Sequence, residues 1–248
     1  MGTSFGALCS DFYINQKLAV RMDLPHNRET LLELFERIRK DRPEMSRLRR
    51  YEGELALESA PEDGSYEWAA LRRMSVRSGV VNPSTMPEAY RLHRLLLEIA
   101  PFYLSLSPVE IDYLEVLYGF DFEARGNHDE IVFEALYADS PLGRLVEGPQ
   151  TQAVDVQPTF SFALDEKRTT RITVEVKTRH GSDSDPAKFD GEPISVFLIL
   201  RRNGPIAAVG DLLKMHDALV ALAEKVATQK LIPLIINPLT REINSRSH

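Results

Sequence analysis

A single cysteine, Cys9, stands in 248 residues, which excludes an intramolecular disulfide and any multi-cysteine zinc site. As a nucleophile it would need a base brought beside it by the fold, so its expected role is that of a small inert side chain. Long apolar runs are also missing. The longest are "VFLIL" at 196–200 and the proline-broken "LIPLII" at 231–236, both too short to cross a bilayer. The opening "MGTSFGALCSDF" has neither the basic start nor the apolar run of a secretory signal, so a cytoplasmic location without a membrane partner is expected.

Catalytic signatures are equally scarce. There is no phosphate-cradling glycine loop, no zincin helix and no Gly-x-Ser-x-Gly elbow, so no catalytic residue can be named and neither cofactor nor metal is expected. The most metal-like stretch, "GSDSDPAKFDGE", holds Asp183, Asp185 and Asp190. It lacks the glycine and the terminal glutamate of a calcium loop and reads as a hairpin loop. Acidic residues outnumber basic ones by 37 to 30, for a net charge of -7, which argues against a protein that coats nucleic acid.

What is present is a folded globular composition, 43% hydrophobic and 27% charged, with clear periodicities. In "FYINQKLAVRMDL", Ile14, Leu18, Val20, Met22 and Leu24 alternate with polar residues, which predicts a strand with one covered face. Gln16 is the one break in the apolar row. Asn27 then caps a helix with Leu31, Leu34, Phe35 and Ile38 on one side, supported by Glu33–Arg37 and Glu36–Lys40. "LRRYEGELALES" and "YEWAALRRMSVRSG" read as two strands joined by "APEDGS". "STMPEAYRLHRLLLEIAPF" reads as a helix capped by Thr85 and ended by Pro101.

The pattern restarts at "VEIDYLEVLYGFDF", a strand whose alternation slips near Tyr113 and Leu114 and so implies a bulge. Asn127 caps a short helix, three strands follow in "TFSFAL", "RITVEVKTR" and "ISVFLILRR", and "DLLKMHDALVALAEKV" closes with a helix. The expected fold class is therefore α+β. Duplicated β-α-β-β-(β)-α units, about 10–105 and 106–240 of a single domain spanning 1–248, form one twisted antiparallel sheet with the helices on one face.

The passages "YRLHRLLLEIAPFYLSLSPVEIDYLEVLYGFDF" and "LLKMHDALVALAEKV" resemble a sporadically distributed family of bacterial proteins whose function is not established. The family's tyrosine-rich middle strand is similar to Tyr113–Phe122, and its closing helix carries a pair like His216 and Asp217. The order of elements also resembles the TATA-binding-protein and helix-grip architectures, a likeness of fold that implies no activity.

If the apolar faces of the strands meet the helices, Lys17, Arg21, Arg73, Arg77, Arg171, Lys177 and Arg179 project onto the open sheet face as a basic ladder. Glu175 and other acids would partly neutralise it. His216 and Asp217 are adjacent on a helix and point about 100° apart, so a packing or surface role is expected for them. Three functions follow. The first is a non-enzymatic binding or assembly module that engages a protein partner or a second copy of itself through the open face or an edge strand. The second is a small-molecule protein or enzyme with a pocket between the sheet and the last helix, where an arginine holds an anion. The third, opposed by the net charge, is nucleic-acid binding across the basic face.

Overall fold

The computed structural model describes residues 2–25, 27–146, 148, 151–178 and 192–246. In β1 (Asp11–Val20) the alternation becomes burial: Phe12, Ile14, Leu18 and Val20 are closed to solvent, while Tyr13, Asn15 and Lys17 stay half-exposed on the other face. Asn27 caps α1 (Arg28–Asp41) by accepting the Glu29 amide at 3.0 Å, and Leu34, Phe35 and Ile38 are buried beneath it. The outer ion pairs differ from expectation. Arg37 reaches Asp41 at 2.6 Å, and Arg39 takes Glu36 at 2.7 Å.

Two segments expected to be single strands are each hairpins. Residues 48–59 fall in β2 (Met45–Tyr51) and β3 (Glu54–Ser59), which turn at Gly53 with φ 69°, a conformation that costs glycine little. Residues 66–79 fall in β4 (Tyr66–Arg72) and β5 (Ser75–Val81), which turn at Arg73 and Met74. The first half is thus β-α-β-β-β-β-α, closed by α2 (Met86–Tyr103) with Pro101 inside its last turn instead of ending it. The second half keeps the expected order: β6 (Ile111–Phe122), α3 (His128–Leu136), β7 (Thr159–Ala163), β8 (Thr170–Lys177), β9 (Ile194–Asn203) and α4 (Asp211–Val226). The last helix does not stop there. A π-helical stretch, Ala227–Ile236, carries it past Pro233 into α5 (Asn237–Arg246).

The nine strands among the described residues form one antiparallel sheet in the order β2-β3-β4-β5-β1-β6-β9-β8-β7, with helices on one face and the other left open, as an α+β fold of this kind requires. The halves join at β1 and β6. Their register shifts where Ala19 and Val20 oppose Tyr113 and Ile111, which sets the expected bulge at Asp112. Outside this pair β5 adjoins β1 and β9 adjoins β6, with α2 lying over the first pair and α4 over the second. Tyr118, Phe120, Leu198, Leu212 and Leu219 belong to a single connected core. No helix among the described residues is long and apolar enough to cross a membrane.

Candidate functional site

The open face is built by strand register. Arg77, Lys17, Glu115, Arg201 and Arg171 stand directly opposite one another across β5, β1, β6, β9 and β8. This row is largely satisfied from within. Arg77 reaches Glu54 at 3.0 Å and lies over the Trp68 ring; Arg201 reaches Glu115 at 2.7 Å and lies 4.0 Å from the centre of Tyr113, whose ring also carries Lys17 at 5.3 Å. Cations held against carboxylates and rings in this way gain from both and offer little to a ligand. Two glycines complete the surface. A Cβ on Gly79 or Gly119 would collide with the rings of Trp68 and Tyr13, their direct cross-strand partners.

Of the basic residues expected here, Lys17, Arg77, Arg171 and Lys177 do face the open side, and Lys177 pairs with Glu175 at 3.2 Å. Arg21 and Arg73 lie instead at the end of the sheet, where they pair with Asp112 at 3.6 Å and Asp23 at 2.8 Å. Arg73 moved because the strand assigned to it turns at that point. Arg179 and the Asp183, Asp185 and Asp190 loop lie outside the described residues.

The two edges of the sheet are unlike. β2 reads Met45-Ser-Arg-Leu-Arg-Arg-Tyr51, with every residue after Met45 exposed and three of them arginines, a charged edge that discourages strand addition. β7 reads Thr159-Phe-Ser-Phe-Ala163, with every residue exposed and without charge or proline. Phe160 is 56% exposed, Phe162 43% and the following Leu164 47%. Leu164 donates to Thr170 and Pro158 accepts from Val176, so even-numbered residues spend their backbone groups on β8. The N–H and C=O groups of Thr159, Ser161 and Ala163 therefore point away from the sheet, and no strand among the described residues pairs with them.

Sequence reasoning missed a buried polar cluster between α2, α4 and the sheet. Gln16 donates to the His93 carbonyl at 3.0 Å, and Ser78, opposite Gln16 in the sheet, sits 2.8 Å from His93 Nδ1. The His93 and His216 rings lie 6.1 Å apart, and both are wholly buried. Gln16 Oε1 and both Nε2 atoms make no hydrogen bond. Tyr90 bonds both Tyr118 and, at 2.7 Å, Glu224. Burial foremost, with His216 alongside, depresses His93 to about 3, against a weak opposing contact from the Ile14 backbone. Burial also lowers His216, although Asp217 at 3.4 Å opposes it. His93 stitches α2 to the sheet through Gln16 and Ser78, His216 packs beside it on α4, and neither buried imidazole offers a surface to a substrate. The signal was present as one polar interruption in each apolar stripe: Gln16, Ser78, His93 and His216.

Cys9 is half-buried, donates to the Phe5 carbonyl at 3.6 Å, and its thiol is pushed up to about 12 by burial, then by Asp121 and Asp11. Such a thiol has almost no thiolate at neutral pH. Among the described residues no group of three or more His, Cys, Asp or Glu side chains gathers in a way that could hold a metal ion. The chain matches no protein-family model and no curated protein sequence.

Proposed function

We propose that this protein is a non-enzymatic assembly module that associates with a second copy of itself through β7. The observation that carries this reading is the symmetry of the exposed edge, Thr-Phe-Ser-Phe-Ala about Ser161. A two-fold axis through Ser161 makes the edge complementary to itself, the arrangement that closed dimers use. Ser161 then meets Ser161 and Thr159 meets Ala163 as hydrogen-bonded pairs, using the backbone groups that β8 leaves free. Phe160 of one copy falls opposite Phe162 of the other at the closer, non-hydrogen-bonded positions, where aromatic pairs contribute about 0.5–1.5 kcal/mol each beyond their burial.

The sheet face supports the same choice from the other side, because Arg77, Arg201 and Lys17 on it are already engaged by Glu54, Glu115, Tyr113 and Trp68. A short edge buries limited area, so the dimer is expected to dissociate on the order of micromolar concentrations. Sedimentation velocity over a wide concentration range tests this. The natural chain should pass from monomer to dimer, and Phe160→Lys with Phe162→Lys should remain monomeric with an unchanged melting temperature, since both rings are exposed. A natural chain that stays monomeric throughout, or a double variant that dimerises as well, would sink the proposal.

A further inference from the structure

A cleft of about 530 Å³ lies far from β7, between Leu24–Pro25, the first turns of α1 and the β2–β3 hairpin. Its floor is apolar. Leu55 and Leu71 stand opposite each other in β3 and β4, and Leu31 and Leu32 of α1 form a wall. Four arginines ring it: Arg28 at the first position of α1, Arg50 on β2, and Arg72 and Arg73 at the β4–β5 turn. Two of these are spoken for, Arg72 by Glu54 at 2.6 Å and Arg73 by Asp23 at 2.8 Å. Arg28 and Arg50 have no carboxylate partner among the described residues. In a chain with seven more acidic than basic residues, Arg28 and Arg50 thus stand without a carboxylate beside Leu31, Leu32 and Leu55, which are only half-buried.

We infer that this cleft binds a small anionic amphiphile, a carboxylate with an apolar tail, whose head lies between Arg28 and Arg50 and whose tail covers Leu31, Leu32, Leu55 and Leu71. The volume falls within the range of small-molecule sites. Guanidinium groups match a carboxylate with paired N–H donors, which a neutral head cannot exploit to the same degree. The tail removes water from leucine side chains that the fold leaves partly wet. The inference is independent of the edge pairing, because α1 and β2 are at the opposite end of the sheet from β7.

Isothermal titration of the full chain with decanoate, below its micelle concentration, tests this against decanol and acetate. Decanoate should bind saturably, and decanol and acetate should each bind at least about tenfold more weakly, the discrimination that charge-assisted hydrogen bonds and tail burial supply. Arg28→Gln with Arg50→Gln should weaken decanoate by at least about tenfold while leaving the melting temperature and the sedimentation behaviour in place. Equal affinity for decanoate and decanol would overturn the inference without reference to any variant. So would the absence of saturable decanoate binding, an unaffected double variant, or binding only to phosphatidylglycerol vesicles.

Discussion

Acidification should destabilise this protein through His93. In the unfolded chain the imidazole takes a proton near its ordinary value of 6.5, whereas in the fold it is held neutral down to about 3. The sign follows from proton uptake. A folded value below the unfolded one means that stability is full above pH 6.5 and is lost as the pH falls towards 3. Each pH unit within that window costs about 1.4 kcal/mol, so moving from pH 7 to about 4.5 should remove roughly 2–3 kcal/mol through His93 alone. Because the side chain exposes no surface, solvent screening does not reduce this figure appreciably. His216 is lowered too and adds to the loss in the same direction. Glu88, Asp217 and Asp165 are held below their ordinary values and act at lower pH. Denaturant unfolding at the two pH values, for the natural chain and for His93→Gln, isolates the contribution. Glutamine keeps a polar atom near Ser78 but has no proton to gain. The natural chain should lose about 2–3 kcal/mol more than the variant over this interval; equal losses would show that His93 is not held neutral in the fold.

The two asparagine caps should behave unequally. Asn127 accepts from both the Asp129 and Glu130 amides and donates to the Ala153 carbonyl, whereas Asn27 accepts only from Glu29. Asn127→Ala should therefore cost about 1–2 kcal/mol and Asn27→Ala less, by thermal unfolding. Gly119→Ala should cost about 1–3 kcal/mol, because its methyl group and the Tyr13 ring compete for the same space. A neutral result would mean that the ring swings aside freely.

Legibility in the sequence followed periodicity. β1, α1, β6 and α4 carry strong stripes with at most one interruption each, and their buried faces are the ones that alternation or the 3.6-residue period marks. The β4–β5 turn was hidden because Arg73 and Met74 carry no turn signature; in β2–β3, Gly53 did mark the turn, but it sits inside an otherwise strand-like run. That merger put Arg73 on the wrong part of the molecule. The helix beyond Val226 was hidden by Pro233, which normally ends helices but here falls within a π-helical stretch. Four of the basic residues assigned to the open face do project there, because parity along a strand is a local property. The pairing of Arg77 with Glu54 and of Lys177 with Glu175, and the seat of Lys17 over the Tyr113 ring, remove much of their capacity to bind, and these contacts depend on cross-strand register set by the whole sheet. The β7 edge shows the same division. Its composition is plain in the sequence, whereas its position at the margin of the sheet follows only from strand order.

Oxidative cross-linking at the proposed two-fold axis tests the central claim most directly. In a Cys9→Ser background, Ser161→Cys should form a disulfide-linked dimer readily, since facing residues in a hydrogen-bonded pair lie about 5.5 Å apart, within disulfide reach. Ala163→Cys should not link to itself, because the two-fold axis sets its copies about 14 Å apart along the strands. Thr159→Cys mixed with Ala163→Cys should link to each other. Failure of Ser161→Cys to cross-link, or equal self-linking at Ala163→Cys, would contradict assembly through β7.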